Sequence, residues 1–350
     1  MRIAIVSDAW RPQINGVVRT IDTVAQLLRA DGHDVEVFGP DRFRTLPFPT
    51  YPEIRLSLFP GARLAHMLKL YAPDAIHLVT EGPLGWAARN LCLARGISFT
   101  TAYHTRFPEY VHARIRLPVS WSYAFVRRFH APSAAVLVVA QSIRDELTRH
   151  GFGNLVPWSR GVDIAAFRPR QRTQTGDARP IWLYAGRVAI EKNVKAFLDL
   201  DLPGTKWVVG GGPQLKELRR RYKDARFFGS VDTDELSPRY AEADCFVFPS
   251  RTDTFGLVMV EALASGVPVA GYPVPGPLDV VTDPKVGALD EDLRAACLAA
   301  IDRDPADCRR HAETFTWERC AAEFLATLRP IARGVWQPLK RRAVPDAAAS

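Results

Sequence analysis

Apolar runs of four or five residues alternate along the chain with longer segments whose apolar positions recur every three to four residues. The two patterns read as buried parallel strands and the helices that connect them. In the first half the strand-like runs fall at residues 3–6, 35–39, 75–79, 97–102 and 135–139, with helical periodicity at 17–29, 64–71, 84–94 and 142–149. The stretch containing Pro47, Pro49 and Pro52 reads as a loop. All periodicity is lost from Arg168 to Pro180, which predicts a linker. Alternation restarts with strands at 181–185, 207–210, 225–228, 245–248 and 267–270, separated by helices near 193–200, 213–222, 233–241 and 255–264. Helical stretches at about 289–302 and 316–329 follow, and 343–350 reads as a frayed end. The pattern predicts an α/β protein with two doubly wound, Rossmann-like domains, 1–167 and 181–315, joined by a linker at 168–180 and followed by a C-terminal helix and tail at 316–350. In such sheets ligands sit outside the carboxyl ends of the strands.

A length of 350 residues, with 47% hydrophobic and 24% charged content, suits two domains with full cores. No apolar run reaches 18 residues, so no membrane span is expected. The first eight residues turn polar too soon for a signal peptide and read as a strand. Five cysteines without C-x-x-C spacing point to a reducing compartment and to neither a disulfide framework nor a zinc site. The expected location is cytoplasmic. Net charge is +8, and its placement says more than its size. Residues 1–170 hold 21 Lys and Arg against 13 Asp and Glu, whereas residues 171–350 hold 25 of each. A basic first half suits nucleic acid or an anionic membrane surface. No nucleic-acid reading motif is present.

The strand at 245–248 runs into Asp253-Thr254-Phe255-Gly256-Leu257, where a helix begins. A helix amino end presents free N–H groups and the positive end of its dipole, which suits a phosphate, and Gly256 lets a ligand lie close to the backbone. Glu261, eight residues after Asp253, lies two turns further along the helix. After the strand at 181–185, Arg187 and Lys192 stand five apart on a loop, a fork and a point charge able to converge on a diphosphate. Gly16 opens the first helix, either as a close-approach residue or as a turn. His104 lies just past a strand end. Gly210-Gly211-Gly212-Pro213 has no following Lys-Ser/Thr and is not a P-loop.

Together these segments resemble the retaining family 4 glycosyltransferases, over about residues 1–330 and most strongly over 181–282. Asp253 stands where that family's E-x7-E region has its first Glu, and Ser250 to Gly256 is similar to the bacterial glycolipid branch that includes mannosyl- and sulfoquinovosyl-transferases. The resemblance implies a GT-B fold and transfer of a hexose of mannose or glucose type, with retained configuration, from a GDP- or UDP-linked donor to a membrane lipid. It implies that Arg187 and Lys192 hold the diphosphate and Glu261 the ribose. Asp253 and the N–H groups of Thr254, Phe255, Gly256 and Leu257 then position sugar and phosphate, Gly16 adds a donor contact, and His104 meets the donor sugar. No metal or other cofactor is implied. Arg160 and Asp163 match the R/N-G-V-D segment and read as mainly structural, Gly210 to Pro213 as cleft wall, and Gly229 to Val231 as contacts to the base.

Residues 106–130 interleave five Arg and one Glu with aromatics. Arg114, Arg116, Trp121, Arg127 and Arg128 are the expected contacts to an anionic membrane, on its inner face. The same mixture equally fits a core helix with solvated arginines. Two alternatives stay open: a soluble saccharide acceptor, and a nicotinamide-dependent oxidoreductase, the latter disfavoured by the absence of G-x-G-x-x-G.

Overall fold

The computed structural model describes residues 1–350 except 14, 49–50, 107, 109–117, 174, 333 and 337–350, with backbone alone at 51–53. Arg114, Arg116 and the 343–350 end therefore lie outside the described residues. Two six-stranded parallel sheets organise the chain. The first contains β1 (Arg2–Val6), β2 (Asp34–Phe38), β5 (Ala75–Leu78), β6 (Thr100–Tyr103), β7 (Ala135–Val138) and β8 (Leu155–Pro157), in the order β2-β1-β5-β6-β7-β8. The second contains β9 (Ile181–Ala185), β10 (Thr205–Val209), β11 (Arg226–Gly229), β12 (Cys245–Phe248), β13 (Val269–Gly271) and β14 (Gly287–Leu289), in the order β11-β10-β9-β12-β13-β14. A separate antiparallel ribbon pairs β3 (Thr45–Phe48) with β4 (Tyr51–Ser57). Strand order reverses between β1 and β5 in one sheet and between β9 and β12 in the other, and a crevice opens at each reversal.

Helices cover both faces of each sheet. In the first half these are α1 (Gly16–Ala30), α2 (Gly61–Tyr71), α3 (Pro83–Arg95), α4 (Val119–His130) and α5 (Gln141–Arg149). In the second they are α6 (Val194–Leu198), α7 (Leu215–Arg221), α8 (Thr233–Glu242), α9 (Leu257–Ala264), α10 (Pro277–Val280), α11 (Leu293–Ala300) and α12 (Pro305–Ala312). Sandwiched strands must be apolar on both sides, and β5, β7, β9 and β12 are buried at every position. Trp182, Tyr184 and Phe246 are among the largest fully buried side chains, each contributing about 1.5–3 kcal/mol by leaving water.

The structure departs from the sequence expectations at several places. The proline-bearing stretch read as a loop holds the β3–β4 ribbon, whose prolines are tolerated because neither strand is central to a sheet. Two short edge strands, β8 and β14, complete the sheets; β14 sits where helix was expected to begin, and α11 starts only at Leu293, after Asp292 caps the N–H of Arg294 at 2.9 Å. α12 fills the gap between the two expected C-terminal helices. α9 starts at Leu257 rather than Phe255, because Gly256 adopts φ 91°.

The segment read as a linker is strapped to the second half. Arg172 and Arg179 both reach Asp244, at 2.8 and 2.6 Å, and the Thr173 N–H donates to Glu242 at 2.5 Å. The last helix, α13 (Trp317–Thr327), returns to the first half, where Cys320, Ala321 and Phe324 join Ile21, Val24 and Leu28 of α1 in one core. The two chain crossings meet: a Cβ on Gly161 would lie 2.4 Å from the Trp317 nitrogen, and the Val162 N–H donates to the Phe315 carbonyl at 3.2 Å.

Candidate functional site

The reversal between β9 and β12 brings two loops together. Asn193 donates from Nδ2 to the Pro249 carbonyl at 3.2 Å, and the Thr252 hydroxyl donates to the Glu191 carbonyl at 3.1 Å. These bonds hold residues 186–193 against residues 249–256, and in that setting Lys192 pairs with Asp253. The second carboxylate oxygen of Asp253, Oδ2, is buried and has no hydrogen-bond partner. A buried acceptor without a donor is rare in folded proteins, and a water or a ligand group ordinarily satisfies it. The loop bearing Arg187 is shaped by the glycines assigned to the cleft wall: a Cβ on Gly210 would lie 1.8 Å from the Gly186 carbonyl, and one on Gly212 would lie 2.4 Å from that of Val188.

Gly256 is required twice over. Its φ of 91° is left-handed, and an added Cβ would meet Met259 at 2.8 Å and Phe248 at 2.9 Å. The turn frees the first N–H groups of α9 toward the crevice. Phe255 contributes only backbone there, since its ring packs on Phe315 at a centroid distance of 5.9 Å. Thr254 faces the other half, donating from Oγ1 to the His104 carbonyl at 2.8 Å.

From the first half, Gly16 meets the start of α9, where a Cβ would stand 3.6 Å from Leu257. The amides of α1 are already engaged: Asn15 Oδ1 accepts from the N–H groups of Val17 and Val18, both at 3.0 Å. Gly16 thus marks the approach of the two halves, whereas α9 has no side-chain cap of this kind. His104, just beyond β6, has a ring out of contact with water at Nε2, which finds no partner. Burial, and after it the charge of Arg160, hold its pKa well below the usual imidazole range. Arg106 bridges the halves, donating to Glu146 at 2.9 Å and to the Arg251 carbonyl at 3.3 Å.

Glu261 is only 2% exposed. One of its oxygens pairs with Arg19 of α1, and the other accepts from the Tyr240 hydroxyl at 3.2 Å. Burial and then the Glu261 charge push the Tyr240 phenol well above its ordinary range. Arg19 and Tyr240 were not singled out from the sequence. Arg19 sits one helical turn after Gly16, the only hint available there. Asp163 caps a turn, accepting from Ala165 and Ala166 at 3.0 and 2.9 Å. Asp8, the first carboxylate after β1, accepts from the N–H groups of Leu84 and Gly85 at the start of α3 and is raised in pKa, chiefly by burial.

Of the expected membrane contacts, Trp121, Arg127 and Arg128 lie exposed on α4, whose opposite side buries Tyr123, Val126 and Phe129. Arg127 and Arg128 occupy the end of α4 that leads into β7. In a parallel sheet that end lies at the strand amino termini, away from the crevice, and there the two arginines line a cavity of about 410 Å³ with Phe152.

Residues 14–166 match the model of Glycosyltransferase Family 4, and residues 167–300 that of Glycosyl transferases group 1. A GDP-mannose-dependent alpha-mannosyltransferase of Corynebacterium glutamicum is 30% identical, over 93% of this chain and 84% of its own length. An alpha-monoglucosyldiacylglycerol synthase of Streptococcus pneumoniae is 28% identical, over 89% of this chain and 80% of its own. Among solved structures, sucrose-phosphate synthase from Thermosynechococcus elongatus superposes with a TM-score of 0.73 at 22% identity, covering 93% of this chain and 97% of that one.

Proposed function

The chain belongs to the family 4 glycosyltransferases and has their GT-B architecture, and from that premise we propose that it transfers a hexose, with retained configuration, from a nucleotide diphosphate sugar to a hydroxyl of a membrane lipid. The observation that carries the reading is the meeting of a Lys192–Asp253 pair and the amino end of α9 with the His104 carbonyl of the other half, to which Thr254 donates. The GDP-mannose-dependent mannosyltransferase supports the donor class, and the alpha-monoglucosyldiacylglycerol synthase supports the lipid acceptor.

In this mechanism Arg187, Lys192 and the first amides of α9 take the diphosphate, where negative charge grows as the glycosidic bond breaks. Lys192 exchanges Asp253 for phosphate, and Asp253 turns to a sugar hydroxyl. Glu261, oriented by Arg19 and Tyr240, receives the ribose. The leaving phosphate stays on the face from which the acceptor attacks, removes its proton and so conserves configuration. Two cations neutralise the diphosphate, so turnover needs no divalent ion.

The expected result is release of GDP or UDP from a hexosyl donor only when diacylglycerol vesicles are present, with an α-anomeric product and full rate in EDTA. Release with soluble saccharides alone overturns the lipid assignment. An inverted product overturns retention, and loss of turnover in EDTA overturns the two-cation mechanism.

Access to a bilayer is supported by the β3–β4 ribbon. Leu46 lies opposite Leu56 across the ribbon. Leu46 is 56% exposed, and Phe59, just beyond the ribbon, is 97% exposed. Exposed Arg44 and Arg63 flank these side chains, and Trp121 is 69% exposed on α4. Among the described residues no helix is long and apolar enough to cross a membrane. We expect vesicles containing anionic lipid to sediment the protein in a salt-sensitive way, each nearby cation contributing about 1 kcal/mol. The triple variant Leu46→Ser, Phe59→Ser, Trp121→Ser loses tenfold or more in binding, and Arg127→Ser with Arg128→Ser loses less. Equal sedimentation of wild type and triple variant refutes this face.

A further inference from the structure

We propose that Arg160 is a positioning residue that holds His104 in the tautomer protonated at Nε2, making the histidine an uncharged hydrogen-bond donor to the donor substrate. The inference rests on the donor site described above and adds a residue that the sequence marked as mainly structural.

Arg160 Nη2 stands 3.5 Å from His104 Nδ1. A guanidinium has donors only, so a ring nitrogen facing it must offer a lone pair, and the ring proton is left on Nε2. That atom is the one found buried and without a partner. The arginine has no freedom to adapt. It is 5% exposed, stacks 4.1 Å above the Trp158 ring, and donates from Nη1 to the carbonyls of Ser159 at 2.9 Å and Trp158 at 3.3 Å. The same indole meets the His104 ring edge-on at 5.6 Å. Helix α13 fixes the stack from behind: Trp158 Nε1 donates to the Cys320 carbonyl at 2.9 Å, and the Ser159 N–H to Glu323 at 2.6 Å. Burial brings its pKa down to about 10 against the opposing pull of Cys320 and Glu323, which keeps it charged.

The electrostatics agree. Charged and titratable groups reach His104 from three elements: Arg160 after β8, His77 on β5 and His130 at the end of α4, and all three oppose a proton on the ring. Arg106, two residues on, is committed to Glu146. The chemical sense lies in the transition state. A sugar that gains positive charge at its ring is opposed by an imidazolium far more than by a neutral N–H, so Arg160 leaves His104 able to hold a sugar hydroxyl without adding a full charge on the imidazole.

The test begins with nitrogen-15 NMR of the histidines in the full-length enzyme, assigned with His104→Gln. The expected spectrum shows His104 neutral, protonated at Nε2, from pH 5 to 8; a proton on Nδ1 overturns the proposal before any variant is made. In Arg160→Met, which keeps the bulk above Trp158, the ring samples both tautomers, and its pKa rises while burial still holds it below the ordinary imidazole range. The kcat profile, flat from pH 5 to 8 in the wild type, then slopes down toward pH 5, with KM for the donor sugar little changed. Arg160→Lys, still a pure donor, restores the flat profile. If Arg160→Met does not fold, Arg160→Gln, whose amide also accepts, serves in its place. A loss of kcat uniform across pH, with an unchanged His104 spectrum, assigns Arg160 to structure alone and overturns the proposal. The NMR result stands apart from turnover: an Nε2–H ring in an enzyme that uses no nucleotide sugar defeats the proposed function and leaves the tautomer assignment intact.

Discussion

Lys192→Ala is expected to slow sugar transfer by about 10²–10³-fold with the donor saturating, the loss typical of removing one charge-stabilising group from a developing anion. The structure adds a second effect. Asp253 has Lys192 as its ion-pair partner, and its other oxygen is buried without a donor, so the variant leaves a negative group beside the place a diphosphate must occupy. Donor KM therefore rises together with the fall in kcat. Asp253→Asn in the Lys192→Ala background recovers part of the KM defect and none of the kcat defect. Arg187→Ala is expected to show a kcat loss of the same order. Initial rates of nucleotide release against donor concentration separate these outcomes. A Lys192→Ala enzyme within threefold of wild type at saturating donor removes this residue from the mechanism.

Arg19→Leu is expected to weaken donor binding by roughly 10²-fold without unfolding either half. Glu261 is buried, and its cation comes from the opposite half of the molecule. Stranding a buried charge costs 3–5 kcal/mol, and the partly exposed Arg19 places the effect at the low end, about 3 kcal/mol. That cost falls on the form in which the halves meet, so it appears in the Kd for donor and in a larger radius of gyration by X-ray scattering. In Arg19→Leu with Glu261→Leu the compact form returns, because no charge is left buried, yet donor affinity does not, because the ribose contact is gone. An Arg19→Leu protein with wild-type donor affinity and dimensions refutes the coupling.

Much of this was legible in the chain because it is local. The run Cys245–Phe248, the polar loop and Gly256 announce strand, crevice and helix within twelve residues, and Arg187 and Lys192 lie on one loop. What escaped was set by partners far apart or by context. Arg19 and Glu261 are 242 positions apart, and Arg160 and His104 are 56, separations at which no periodicity speaks. The β3–β4 ribbon was hidden by prolines that forbid a central strand and say nothing against a free-standing pair. The 168–180 segment lacks apolar period because ionic contacts to Asp244 and Glu242, rather than a core, hold it in place.

The two chain crossings, pinned side by side where Gly161 admits Trp317 and Val162 bonds Phe315, act like the two leaves of a door hinge. A single connecting strand lets two bodies swivel about its axis; a pair lying in contact resists torsion and leaves bending as the soft motion. Any opening of the crevice is expected to follow one arc, with closure restoring the contacts of Thr254 with the His104 carbonyl and of Arg19 with Glu261 in the same register. Placement of the reacting groups is thereby encoded some distance from the crevice, in a glycine too small to hold the two crossings apart.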